Sequence, residues 1–381
     1  MQKSSAFKFV LLLAFVSLFA DIVYEGARSI TGPFLGSLGA NALIVGAVSG
    51  FGELFGYALR LVSGRTADKT RAYWTITMVG YAINLLAVPA LALAGNWMVA
   101  AFLLVAERAG KAIRGPARDV MLSAAGSQLG PGFAFGLHQA LDQIGAVVGP
   151  LAIAFGLYEH QSPRLDFAML AIPGVVALAI LVAARFLYPD PEELRVNNLE
   201  LNSEGLQQTF WIYIAAAALV AAGTIDYPLI AYHFQKTGIV QQTVVPLLYA
   251  LAMFTDGVAG FALGKLFDKV GVVLLAVVSV VTATALPLVF VAHQAALGVA
   301  IWGIGLGTQS SIMKAFIANI VPKERRGSAY GMFALVYGVS WFAGSLLMGA
   351  LYEHSITALV VFSAAAQLVA VPLFIVVHKR M

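Results

Sequence analysis

Charge is what this chain has least of. Asp, Glu, Lys and Arg make up 11% of its 381 residues, against roughly 25% in an ordinary soluble domain. Since 60% of the residues are hydrophobic, a water-soluble globule of this size would lack a polar coat. Soluble enzymes, nucleic-acid binders and disordered chains are therefore excluded. Cysteine is absent altogether, and disulfides and thiol chemistry go with it. Also missing are His-Glu-x-x-His, Gly-x-Ser-x-Gly and a phosphate loop ending in Lys-Ser/Thr. No nucleophile, metal site or cofactor site is left for an enzyme. Gly303-x-Gly305-x-Gly307 imitates a nucleotide fingerprint, but it lies inside an apolar run where glycines serve helix packing. The net charge of +4 does not point to nucleic acid, because the basic residues sit between apolar segments.

What remains is long apolar runs of about 20 residues without the period-2 alternation of a membrane barrel. They predict an all-α polytopic membrane protein with twelve spans, at 7–30, 42–62, 72–94, 97–117, 134–157, 165–187, 209–232, 244–263, 272–292, 295–315, 328–351 and 356–377. The proline-containing, acidic stretch 189–208 reads as a cytoplasmic linker between six-helix bundles at 1–188 and 209–381. Lys3 and Lys8 ahead of the apolar run imitate a signal peptide. No small-x-small cleavage site follows, so the first helix is expected to be retained. Of the 23 lysines and arginines, all but Arg28, Arg108, Lys111, Arg164 and Lys236 fall at ends that are cytoplasmic if both termini are inside. The expected location is the plasma (inner) membrane.

The halves repeat one another. Gly64-x-x-x-Asp68-Lys69 recurs as Gly264-x-x-x-Asp268-Lys269, and Leu157-Tyr158-Glu159-His160 as Leu351-Tyr352-Glu353-His354. On these residues the chain resembles the major facilitator superfamily, whose signature between helices 2 and 3 is Gly-x-x-x-Asp-Arg/Lys-x-Gly-Arg-Arg. Arg71 stands where the second glycine is expected, and the second copy keeps it as Gly271. Gly145-x-x-x-Gly149-Pro150 in helix 5 is similar to the superfamily's antiporter signature, without its closing glycines. The helix-4 arginine motif falls on Arg108 or Arg114. The resemblance implies two pseudo-symmetric bundles with a cavity between them, opened alternately to each side. It also implies gating loops in which Asp68 caps helix 11 near Gly327 and Asp268 caps helix 5 near Phe133. A small-molecule substrate, a lipid-embedded monomer and no cofactor follow from it too.

Charges inside spans are expensive and mark functional groups. Helix 1 carries Asp21, Tyr24, Glu25 and Arg28 on one face, and helix 4 carries Glu107, Lys111, Arg114 and Arg118 on another. Arg108 lies about 16 Å into its helix, near mid-bilayer. Glu53 on helix 2, His138 and Asp142 on helix 5, Asp226 and His233 on helix 7, and Asp256 on helix 8 complete the set. The basic groups of helix 4 are expected to pair with Asp142, Glu53 or Asp21. Acids without a fixed base suit proton coupling, with Asp21 or Glu25 first, then Asp226 and Asp142. Tyr24, Arg28, Glu53, Arg108, Lys111, Arg114, His138, Tyr227, His233, Asp256 and Tyr337 are the candidate cavity residues; no metal site is expected. The expected function is secondary active transport of a small organic solute by proton-coupled efflux. A symporter or uniporter of a polar or anionic metabolite is the alternative, and a non-transporting receptor or assembly factor is a third possibility.

Overall fold

A computed structural model describes residues 3–189, 208–321 and 325–380. Among these there is no β-strand. Fourteen α-helices run in order: α1 (Lys3–Ser37), α2 (Ala42–Thr70), α3 (Tyr73–Ala90), α4 (Trp97–Leu129), α5 (Pro131–His160), α6 (Pro163–Met169), α7 (Ala171–Leu187), α8 (Gln208–Gly223), α9 (Tyr227–Thr237), α10 (Val244–Val270), α11 (Val273–Thr282), α12 (Ala295–Ile320), α13 (Arg326–His354) and α14 (Ile356–Lys379). Eleven stretches among the described residues are long and apolar enough to cross a membrane. The twelfth, α4, is 33 residues long but carries the charges of 107–119. It extends well past the expected end at 117, because the helix stops only where Gly130 takes φ +96°.

The chain forms two compact units, one of residues 1–39 and 55–198 and one of 40–54 and 199–381. Residues 190–207 of the linker lie outside the described residues. In the first unit α1 is the central helix, packed on α5, α7 and α4, while α3 packs on α4. Glycines set these distances. A Cβ on Gly110 would stand 2.4 Å from the Asn84 nitrogen, and one on Gly145 would stand 2.4 Å from the Leu18 carbonyl oxygen. In lipid, where apolar side chains gain nothing by leaving solvent, such close backbone contact is what holds helices together.

In the second unit α8 packs on α13 and α14, and α10 on α12. The expected span 209–232 is broken at residues 224–226, between α8 and α9. Pro228 in the first turn of α9 has no N–H to offer the preceding turn. The carbonyls freed by the break find side chains: Ser363 Oγ donates to the Gly223 oxygen at 2.6 Å, and Trp302 Nε1 to the Ile225 oxygen at 2.9 Å. Satisfying every backbone group internally is the condition for an irregular segment at membrane depth. The expected span 272–292 also changes form, from α11 to a π-turn at Pro287–Val291.

Glu353, at the end of α13, accepts the Ala42 N–H that opens α2 at 2.6 Å and lies 3.7 Å from Lys236 Nζ. Its counterpart in the repeat, Glu159, is exposed, as is the adjacent Tyr158, which is 73% exposed while Tyr352 is 6%. Glu353→Gln is expected to lower stability by about 1 kcal/mol, the scale of a lost charged helix cap. Glu159→Gln leaves it unchanged. Thermal unfolding of the purified variants in detergent measures both.

Candidate functional site

Several buried ionisable side chains of the first unit meet at α1. Tyr24 donates its hydroxyl hydrogen to Asp21 Oδ1, one turn away on the same face. Lys111 Nζ of α4 lies 3.7 Å from Glu25 Oε1 and 3.8 Å from the centre of the Tyr24 ring. Arg114, one turn further along α4, is 1% exposed. Its guanidinium carbon sits 4.1 Å over the Tyr81 ring and 5.8 Å from the Tyr24 ring, and its Nε and Nη1 have no hydrogen-bond partner among the described residues. The side chain fits there because Gly80 on α3 leaves room for the Arg114 backbone; a Cβ at Gly80 would lie 2.6 Å from the Arg114 nitrogen.

The basic groups of α4 lie beside acids on their own helix and on α1. Lys111 takes Glu25, Arg108 takes the adjacent Glu107 at 3.4 Å, and Arg118 takes the adjacent Asp119 at 2.8 Å. Glu107 is fixed by Asn84 of α3, whose Nδ2 donates to Oε1 at 2.8 Å. Asp142 lies with Oδ2 3.3 Å from His138 Nδ1. His138 in turn meets Ser17 Oγ through Nε2 at 2.8 Å, and Ser17 Oγ is 3.1 Å from the Tyr81 hydroxyl. Arg28 and Glu53 are half-buried on α1 and α2. Pattern reading passed over Ser17, Tyr81 and Asn84. Ser17 could have been found, since it precedes Asp21 by four residues on the same face.

Gly145 and Gly149 bring α5 against α1 at this level. Beside the Leu18 oxygen, a Cβ at Gly145 would meet Asp21 Cβ at 2.8 Å, and one at Gly149 would meet the Ile22 oxygen at 2.5 Å. Pro150 follows, buried within α5. The helix-5 motif and Asp21 are thus neighbours across one backbone contact.

The second unit is built differently. Asp226, at the break before α9, is 1% exposed, and its Oδ2 accepts from Trp341 Nε1 at 3.0 Å and Ser345 Oγ at 2.9 Å. Tyr227 is buried, with its hydroxyl on the Val245 carbonyl at 2.5 Å. His233 meets the Tyr352 hydroxyl at 2.9 Å through Nδ1. Asp256 of α10 is half-buried against Gly307 of α12. Tyr337 donates to Gln309 at 2.6 Å, and Gln309 donates to Thr224 at 3.0 Å. A cavity of about 10 Å³ beside Gln309, Gln367 and Thr282 has room for one water.

The repeated loops show why glycine is expected where Arg71 stands. Arg71 has φ +55°, and Gly271 at the matching place has φ +65°. An arginine holds this left-handed conformation at roughly 1–2 kcal/mol. Asp68 is half-buried and Asp268 exposed; Gly64, Lys69, Gly264 and Lys269 lie in the same helix ends.

Comparisons with known proteins agree with this architecture. An uncharacterized protein of Mycobacterium tuberculosis is 40% identical over 377 residues, covering 96% of this chain and 92% of that one. An uncharacterized MFS-type transporter of Methanocaldococcus jannaschii is 26% identical, covering 91% and 89%. Among solved structures, the nucleoside transporter NupG superposes with a TM-score of 0.80 at 13% identity, covering 97% of this chain and 99% of that one; at that identity the likeness is one of fold. The sequence model of the Major Facilitator Superfamily matches residues 10–345 and, separately, 209–380. With its all-helical fold, its apolar spans and its buried polar clusters, the chain belongs to the Major Facilitator Superfamily and is a multi-pass membrane transporter, not an enzyme.

Proposed function

We propose that the chain is a proton-coupled secondary transporter whose coupling carboxylate is Asp21. One observation carries the reading. Glu25, Glu107, Asp119 and Asp142 each have a basic side chain at 3.7 Å or less, whereas Asp21 is held by a neutral hydroxyl. Arg114, on the other side of Tyr24, is a buried cation with no ion-paired carboxylate among the described residues. An acid so placed can keep a proton without breaking an ion pair, and can release it because Arg114 offsets the charge that appears.

The direction that the helix-5 segment favours is export by antiport. Gly145 and Gly149 seat α5 on the turn of α1 that carries Asp21, so proton exchange and helix packing are coupled at one contact. Deprotonated Asp21 receives a polar or cationic group of the solute, and protonation releases it. The protein works as a monomer in the plasma membrane with both termini cytoplasmic, its halves 1–188 and 209–381 joined by the linker 189–208. Symport of an anion is the second reading, favoured by Arg114 and by Lys111, whose side chain is a quarter exposed. Protonation of Asp21 leaves their charge in excess.

Ethidium accumulation in efflux-deficient bacterial cells, with and without a protonophore, tests the first reading. Expression should lower accumulation, and either the protonophore or Asp21→Asn should restore it to the level of control cells. Unchanged accumulation, with the protein confirmed in the membrane, removes cation export. Gradient-driven uptake of radiolabelled organic acids into proteoliposomes would then establish the symport reading, and its absence would remove proton coupling altogether.

A further inference from the structure

The Ser17–His138–Asp142 constellation is not used by the coupling reading above, and its hydrogen bonds have an unusual property. Ser17 and Tyr81 are fully buried and His138 is 3% exposed. Ser17 Oγ lies 2.8 Å from His138 Nε2 and 3.1 Å from the Tyr81 hydroxyl, and it accepts from Arg118 Nη1 at 3.3 Å. His138 Nδ1 lies 3.3 Å from Asp142 Oδ2.

With a neutral imidazole, Nδ1–H donates to Asp142, and Nε2 accepts the Ser17 hydrogen. The Ser17 oxygen then receives the Arg118 and Tyr81 hydrogens, and every donor has its acceptor. With an imidazolium, Nε2–H donates to Ser17, and the Ser17 hydrogen swings to the Tyr81 oxygen. The new charge faces the Asp142 carboxylate. The loss is one hydrogen bond, that of the Tyr81 hydroxyl hydrogen. A packing histidine needs one partner in one tautomer; this one has partners on both nitrogens in both charge states.

We propose that His138 is a second proton-binding site, with Ser17 as the rotor that accommodates its two states and Asp142 as the counter-charge. The groups that face it are Ser17 and, one turn on, Asp21 from α1; Tyr81 from α3; Arg118 from α4; and Asp142 from α5. Arg118 opposes the imidazolium, and Asp142 favours it. The two proton sites lie on one seam. Gly145, three residues after Asp142, is the glycine that touches Asp21, and like charges on two carboxylates along one helix contact repel one another. An imidazolium at His138 weakens that repulsion and thereby favours loss of the proton from Asp21. By reciprocity, a proton on Asp21 favours neutral His138. Proton binding at the two sites is therefore anticooperative.

The test needs no transported solute. Protein labelled with ¹⁵N-histidine is reconstituted in lipid, and the signal of His138, one of six histidines, is identified by its loss in His138→Gln. It should convert from neutral to imidazolium as pH falls. Asp142→Asn should weaken proton binding about tenfold, the size of one lost close counter-charge, and Ser17→Ala should weaken it in the same direction. If His138→Gln does not fold, the signal that moves in Asp142→Asn provides the identification. In Asp21→Asn the titration should persist and shift, which separates this site from the coupling reading even if no proton-driven transport is found. A His138 signal that stays in one tautomer throughout, or a titration that Asp142→Asn and Ser17→Ala leave unmoved, would overturn the proposal.

Discussion

Gly145→Leu is expected to yield no folded protein. The argument is steric and local. A Cβ at this position would lie 2.4 Å from the Leu18 oxygen and 2.8 Å from Asp21 Cβ, distances that no relaxation of a side chain can open, because the first obstacle is backbone. A methyl group alone forces α1 and α5 apart by about an ångström, at roughly 1–3 kcal/mol. A leucine forces them apart along the whole crossing, where Gly149 and Gly26 also meet backbone to backbone. Since α1 is the central helix of its unit, α4 and α7 lose their support with it. Gly136→Leu on the same helix is the control: nothing lies within 4 Å of a Cβ there. Yield of a monodisperse peak in size-exclusion chromatography should fall to background for Gly145→Leu and stay near wild type for Gly136→Leu. Equal yields would show that the α1–α5 contact does not hold the unit together.

The second large effect separates function from stability. Arg114→Met should abolish gradient-driven ethidium export while keeping or raising the thermal midpoint in detergent. Removing a guanidinium from water costs several kcal/mol. Two aromatic faces return about 2 kcal/mol, and among the described residues no carboxylate within ion-pair distance adds to it. Replacing such a group by an unbranched apolar side chain of similar length removes that penalty. Export should nonetheless fall to the level of cells without the protein, because Asp21 loses the charge that balances its deprotonated form. Arg114→Lys should not rescue it, since a compact ammonium does not stack on Tyr81 as a planar group does. A variant that unfolds would make Arg114 a structural residue; one that exports normally would remove it from the coupling.

The membrane spans were legible in the sequence because length and apolarity are local properties, and eleven of those expected recur as long apolar helices among the described residues. The charges of α1, α4 and α5 were legible for the same reason, since each interrupts an apolar run. Two of their pairs, Arg108 with Glu107 and Arg118 with Asp119, were not. Adjacent residues such as Glu107 and Arg108 lie on different sides of an ideal helix, so periodicity discards the pair, yet a long side chain folds back to reach its neighbour. The break at 224–226 was hidden as well: Gly223 and Pro228 signal it weakly, and it persists because Trp302 and Ser363, far away in the chain, accept the role of partner to its carbonyls. Tyr81 and Asn84 were invisible as site residues, since an isolated neutral polar side chain in an apolar span has no pattern to betray it; Ser17 was betrayed only by its place one turn before Asp21.

The charge carried by α4 has a consequence for how the chain enters the bilayer during synthesis. Glu107, Arg108, Lys111 and Arg114 near its centre add about 10–14 kcal/mol to the partitioning of an isolated helix, more than its apolar residues return. Its glycine contacts and the Asn84–Glu107 bond tie it to α3. The two helices should therefore leave the insertion machinery together, as a preassembled hairpin, and α4 fused alone to a reporter should slip through without stopping. Assembly of the polar cluster would then precede lipid exposure, and its residues would never meet hydrocarbon unaccompanied.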